Sequence, residues 1–287
     1  MKQRYERCVI VGAGLIGASL AGAGKKHGLF SHVVGAGRSA DNLKTALDRG
    51  LIDEARTDIF AALEGADLVV VATPVFTAVS QLHELAAHAP KTAVFTDVGS
   101  VKVPILVEAR RRGLVTRFLG AHPIAGKAEI GAAAADADLF RGRRVVLTPE
   151  DDSPPGLVDE MRHLWTAIGA DVIVMDAADH DTVLATSSHL PQMIAFALSA
   201  TADGATLREE LVRLVAGGFR DTTRLAASDA SMWTDIARLN REAIVDAMDE
   251  FSMVWDDLRD AIADRDEQAI RTIIGASQKF RREIMGS

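Results

Sequence analysis

The stretch CVIVGAGLIGASLA, residues 8–21, constrains the fold more than any other part of the chain. An apolar run ends in Gly12, and Gly14 and Gly17 complete the spacing G-x-G-x-x-G before a run of small apolar residues. The first run has the character of a buried strand, and the second reads as a helix. Between them, the first glycine permits a tight turn. The second lets backbone approach a ligand, and the third lets helix and strand pack closely. A helix start also offers free N–H groups and the positive end of a dipole, which suits phosphate. Gly12, Gly14, Leu15, Ile16 and Gly17 are therefore read as a dinucleotide-binding turn rather than a purely structural one.

The residues that follow keep the rhythm such a turn requires. Strands are expected at Cys8–Val11, His32–Gly35, Leu68–Ala72, Ala93–Asp97, Arg117–Gly120, Val145–Thr148 and Val172–Met175. Helices are expected at Ala40–Arg49, Ala78–Ala87 and Leu157–Ile168. Strands alternating with helices predict an α/β fold, with a doubly wound, Rossmann-type parallel sheet. The rhythm stops near Asp176. From Asp179 to Arg282 the chain reads as helix, with Gly217-Gly218 as the main break and Pro191 starting or kinking a helix. Residues 1–176 are thus expected to form the nucleotide-binding domain, and residues 177–287 an all-helical second domain. The stretch Asp151–Pro155 reads as a surface turn.

Two positions bear on which nucleotide is bound. An acidic residue usually stands about 20 residues beyond the glycines, at the end of the second strand, and holds a ribose hydroxyl. Here that place is Gly37, followed by Arg38. A guanidinium suits a 2′-phosphate, which favours NADP; if Arg38 only stacks on the adenine or is solvated, NAD or use of both cofactors is the alternative. Thr73-Pro74 ends another strand at the same crevice. There Thr73 can touch the nicotinamide ribose or simply lead into a helix.

Composition excludes other classes. The net charge of −8 argues against a nucleic-acid partner. No apolar run is long enough to span a membrane. The charged N-terminus precedes no secretory segment, so a cytoplasmic location is expected. A single cysteine, Cys8, rules out a disulfide framework. The His and Cys spacing forms no metal set.

Four further segments carry polar residues where strands and helices meet: TDVGSVK (96–102), GAHPIAG (120–126), SSHLPQ (187–192) and GGFRDTTRLAASD (217–229). His122 stands where a strand ends and a turn of small residues begins. Ser100 suits the N-cap of a helix over Val101–Arg112. Asp181, in the run DHD, suits a helix cap. Arg220 and Arg224 are spaced to share a helix face, with Asp221 placed to pair with Arg224. Farther on, Ile244, Met248, Phe251, Trp255, Leu258 and Ile262 form a heptad-type stripe. Packing within one helical bundle and pairing of two subunits both account for it.

Taken in order, these motifs resemble the prephenate and arogenate dehydrogenases of tyrosine biosynthesis, over residues 8 to 240. The resemblance implies an oxidoreductase that transfers hydride from the substrate ring to NAD(P) while CO2 leaves and the ring becomes aromatic. It implies that His122 takes the proton of the ring hydroxyl and that Ser100 hydrogen-bonds the same hydroxyl. His189 would contact the substrate side chain and Arg224 a carboxylate, while Arg220 is a further basic position of the substrate site. A homodimer with a small-molecule substrate is implied, and no metal. Neither a fused chorismate mutase domain nor an amino-acid-sensing domain is expected. One departure stands out: relatives often carry an acid two residues after Gly126, where this chain has Ala128, with Glu129 next. Two rivals remain. A two-domain hydroxyacid dehydrogenase would usually use a lysine in its helical half, and neither SSHLPQ nor GGFRDTTR has one. A non-catalytic nicotinamide sensor would need the glycine turn but not His122, His189 and Arg224 together.

Overall fold

The computed structural model describes residues 4–127 and 129–286. Eight strands form a sheet: β1 (Tyr5–Val11), β2 (Phe30–Ala36), β3 (Glu54–Arg56), β4 (Leu68–Val71), β5 (Val94–Asp97), β6 (Phe118–Pro123), β7 (Arg144–Thr148) and β8 (Asp171–Val174). Helices α1 (Leu15–Lys26), α2 (Ala40–Asp48), α3 (Ile59–Ala62), α4 (Val75–His88), α5 (Val103–Arg111) and α6 (Pro155–Ala167) connect them. The strand order is β3-β2-β1-β4-β5-β6-β7-β8. From β1 the chain winds outward through β2 and β3, then returns to the other side of β1 with β4. A crevice opens at the carboxyl ends of strands where such a reversal occurs. The glycine turn lies at the end of β1, so it faces that crevice.

The parallel sheet expected from the sequence needs one correction. β7 runs antiparallel to β6, with His122 opposite Val146. Between these strands the described residues hold only a short 3-10 turn, Ala132–Ala134. Without a crossover helix the chain comes back antiparallel. β3 was not expected either. Its Glu-Ala-Arg sequence pairs at the sheet edge beside β2 and carries no apolar run. Helix starts follow proline: Pro74 precedes α4, and Pro155 opens α6. Asp151 and Asp152 form the expected exposed turn.

Beyond β8 the described chain is helical: α7 (Ala177–Leu184), α8 (Leu190–Asp203), α9 (Arg208–Leu214), α10 (Gly217–Thr223), α11 (Ala230–Leu239), α12 (Arg241–Ala263) and α13 (Glu267–Met285). Asp176 caps α7 through the N–H groups of Ala178 and Asp179. A π-helical turn, Ala185–His189, joins α7 to α8, and Pro191 sits in the first turn of α8. A proline lacks the N–H that would continue the ladder, and a widened turn accommodates this. Gly217-Gly218 begins a short helix instead of breaking a long one.

One apolar core lies on each face of the sheet. The first joins β-strand residues to α1 and α6, around Trp165 and Phe140. The second joins the other face to α4 and α5, and continues into the helical half through Ala185, Ile236, Ile244 and Ala247. The stripe on α12 therefore divides: Ile244 is buried within the chain, while Met248, Trp255 and Ile262 are exposed, Trp255 by 59%. Among the described residues no helix is long and apolar enough to cross a membrane.

Candidate active site at the sheet and helix junction

The glycine turn has the shape a dinucleotide needs. Gly12 has φ +99°, and a Cβ there would lie 2.7 Å from the backbone of Ala72. At Gly17 a Cβ would lie 2.3 Å from the Gly12 carbonyl oxygen. Both glycines are obligatory for the turn itself. Around Gly14 no atom lies within 4 Å of such a Cβ, so the fold leaves that space open. Leu15 and Ile16 open α1, where backbone N–H groups lack helical partners. A cleft of about 270 Å³ extends from the turn along Gly37, Arg38, Ser39, Thr73, Pro74, Thr77 and Gln81. The hydroxyl of Thr73 and the Oε1 of Gln81 are buried without hydrogen-bond partners among the described residues. Arg38 is exposed at the rim and makes no ion pair among the described residues. Open space beside a helix start, orphaned polar atoms and a free guanidinium fit a nicotinamide dinucleotide.

The neighbouring strands carry the second part of the site. Lys102 and Asp97 form a wholly buried ion pair. The Lys102 ammonium also donates to the Ala121 carbonyl at 2.8 Å. Asp97 accepts from the N–H groups of Gly99 at 2.8 Å and Ala121 at 3.2 Å. The segment after β5 is thus wrapped around one ion pair, which also pins the end of β6. His122, the next residue, is thereby held in place. Ser100 lies half-buried within the wrapped segment. It does not cap α5 as expected, because that helix starts at Val103, with Lys102 as its N-cap residue.

The cap of α5 comes from the helical half. Asp181 accepts from the N–H of Lys102 at 2.8 Å and from that of Val103 at 2.9 Å. A carboxylate there also meets the favourable end of the helix dipole. Asp181 is therefore a helix cap, but for a helix distant in sequence. Its side chain also meets His180 Nδ1 at 2.8 Å, and His180 Nε2 lies 2.9 Å from His122 Nδ1. On the far side, Asn240 donates to the Asp181 carbonyl at 2.8 Å and lies 3.1 Å from His189 Nδ1. The edge of Trp233 packs against His189, with ring centroids 5.9 Å apart. Burial pushes the His122 pKa well below the ordinary histidine value, and the charge of Lys102 pushes it further. Burial likewise lowers that of His189 to about 4. Both rings are therefore uncharged near neutral pH.

Arg220 and Arg224 lie apart from this network and are exposed. The shared helix face expected for them is cut short. α10 ends at Thr223, and Arg224 opens a 3-10 turn, Arg224–Ala227. The expected pair between Asp221 and Arg224 is not formed, and both residues are exposed. Gln192 ties this turn to α8 by donating to the Leu225 carbonyl at 2.6 Å. The departure at Ala128 lies outside the described residues. Sequence reasoning gave no role to Asp97, Lys102, His180 or Asn240. The acid and lysine flanking the glycine of TDVGSVK, and the histidine of DHD, were the available signals.

Two family models match the chain: the nucleotide-binding domain of prephenate dehydrogenase over residues 20–174 and the prephenate dehydrogenase dimerization domain over residues 176–276. A prephenate dehydrogenase from Lactococcus lactis subsp. cremoris is 34% identical over 97% of this chain and 77% of its own length. A cyclohexadienyl dehydrogenase from Zymomonas mobilis is 33% identical over 96% of this chain and 95% of its own. Among solved structures, prephenate dehydrogenase from A. aeolicus in complex with hydroxyphenyl propionate and NAD+ superposes with a TM-score of 0.90. It is 31% identical, covering 97% of this chain and 98% of that one. Synechocystis arogenate dehydrogenase gives a TM-score of 0.84 at 30% identity, covering 97% and 99%.

Proposed function

The chain belongs to the prephenate dehydrogenase family, and from that premise we propose that it catalyses the NAD(P)-dependent oxidative decarboxylation of prephenate or arogenate. The observation that carries this assignment is His122. It is a neutral imidazole anchored at the end of β6, in the same sheet whose crevice holds the glycine turn. A bound nicotinamide supplies the hydride acceptor. The residues of the chain do the rest.

His122 takes the proton of the ring hydroxyl as hydride departs, which keeps charge from building on the oxygen. Ser100, in the loop pinned by the buried ion pair, hydrogen-bonds the same hydroxyl. His189 meets the substrate side chain from the helical half. Arg224 holds a carboxylate with a two-pronged guanidinium contact, and Arg220 adds positive charge nearby. Such local cations matter because the chain carries net charge −8 and its substrate is an anion. Loss of CO2 needs no residue to push it, since aromatisation drives it once the hydride has gone.

The cofactor is held by the turn at Gly12, Gly14, Leu15, Ile16 and Gly17, with Thr73 and Pro74 at the ribose side. We favour NADP over NAD. Gly37 stands where a ribose-binding acid would be, and Arg38, beside Ser39, is exposed and has no ion-pair partner among the described residues. The working form is a homodimer. Its contact runs through the helical half from residue 177 onward, where Met248, Trp255 and Ile262 leave an apolar stripe open to solvent.

The test is a matrix of initial rates, two substrates against two cofactors, followed by reduced-cofactor absorbance. Cofactor reduction is expected with prephenate, arogenate or both, and faster with NADP than with NAD. No reduction in any cell would overturn the assignment and favour a nicotinamide-sensing role.

A further inference from the structure

Asp181 sits where the helical half meets the end of the sheet, and two hydrogen-bond chains leave it. We propose that these chains fix opposite tautomers on the two site histidines, leaving a bare Nε2 on His122 and a protonated Nε2 on His189. The inference rests on the reading of His122 as the group that takes the hydroxyl proton.

The first chain starts at the Asp181 carboxylate. Ionised, it can only accept. Oδ1 takes the Lys102 N–H at 2.8 Å and faces His180 Nδ1 at 2.8 Å, while Oδ2 takes the Val103 N–H at 2.9 Å. His180 must therefore bring its hydrogen on Nδ1. A neutral imidazole with hydrogen on Nδ1 has a lone pair on Nε2. That lone pair faces His122 Nδ1 at 2.9 Å, so the His122 hydrogen lies on Nδ1. The Nε2 of His122 is left bare, and a general base needs that lone pair. The opposite tautomer would set two lone pairs against each other beside a wholly buried His180.

The second chain starts at the Asp181 carbonyl. A carbonyl can only accept, so the amide group 2.8 Å away must be the NH2 of Asn240, and the orientation of that amide is settled. The same NH2 lies 3.1 Å from His189 Nδ1. An amide NH2 only donates, so His189 Nδ1 accepts, and its own hydrogen is on Nε2. The two rings therefore offer opposite chemistry. His122 presents an acceptor, matched to a hydroxyl. His189 presents a donor, matched to a carbonyl or carboxylate oxygen. His180, Asp181 and Asn240 act as positioning residues, through the histidines they orient.

The experiment is a nitrogen-15 histidine spectrum of the full-length enzyme near neutral pH. Signals are assigned by their loss in His122→Asn and His189→Gln. Hydrogen on Nδ1 of His122 and on Nε2 of His189 is expected. Hydrogen on Nε2 of His122, as a doubly protonated His180 would impose, overturns the proposal, and so does hydrogen on Nδ1 of His189. Turnover gives a second measure. His180→Leu should lower kcat about 100-fold with KM changed less than about threefold. His180→Gln should recover at least about tenfold of that loss, because its amide can donate to Asp181 and accept from His122. Equal kcat in both variants, or a loss in both accompanied by a rise in KM, overturns the proposal. The spectrum requires no turnover, so an active His122→Asn enzyme would remove the proton-acceptor role and leave the tautomers to be judged separately.

Discussion

Lys102 and Asp97 form an ion pair from which solvent is entirely excluded, and the same ammonium holds the Ala121 carbonyl at 2.8 Å. Removing one partner strands the other as a buried charge. Lys102→Met should therefore destabilise the fold by about 3–5 kcal/mol, measured by urea unfolding. The double variant with Asp97→Asn should recover part of that loss. A single variant within about 1 kcal/mol of the parent would show that the pair contributes nothing to stability.

His122 stands next to that carbonyl. His122→Asn should fold normally and lower kcat by roughly 10²–10⁴, with a smaller change in substrate binding. Circular dichroism and steady-state kinetics check both halves of the statement. Turnover near the parent rate in the folded variant would take His122 out of the reaction.

Arg38 should separate the cofactors. With a 2′-phosphate as partner, Arg38→Ala weakens NADP by about 1.5–3 kcal/mol and NAD far less. Fluorescence titration of both cofactors is the measurement. Equal losses would point to adenine stacking.

Arg224 should hold a substrate carboxylate. Arg224→Ala is expected to raise KM about 10-fold to 10³-fold, and Arg224→Lys to recover only part, since an ammonium has no planar fork. Cofactor affinity should stay level, because the residue lies in the helical half. Unchanged KM and kcat would sink the assignment.

Trp255, 59% exposed on α12, should lie in the subunit contact. The parent should sediment as a dimer at micromolar concentration and Trp255→Asp as a monomer. A monomeric parent would leave the stripe as a surface without a partner.

The sheet was legible because its strands are continuous apolar runs, and Val69 to Val71 or Val9 to Val11 admit little else. β3 was not, since Glu54, Ala55 and Arg56 gain strand form only from pairing with β2. The antiparallel turn of β7 depends on the missing crossover helix rather than on anything in its own residues. At the candidate site, His122 and His189 were legible from motif order only as expectations. Their orientation was not, because it depends on His180, Asp181 and Asn240, which meet only after the two halves pack. Asp181 illustrates the limit well. Its suitability as a cap could be read, but the helix it caps begins 78 positions earlier in the chain.

That long-range cap bears on modularity. The carboxylate of Asp181, buried in the helical half, closes the first turn of α5 in the sheet half. A chimera joining this nucleotide-binding sheet to a foreign partner would inherit a helix with its amides unanswered and a histidine with nothing to orient it. The two halves are thus not interchangeable parts joined at residue 176. The helical half carries a piece of the sheet half's secondary structure, so a change at the junction has to satisfy that helix as well.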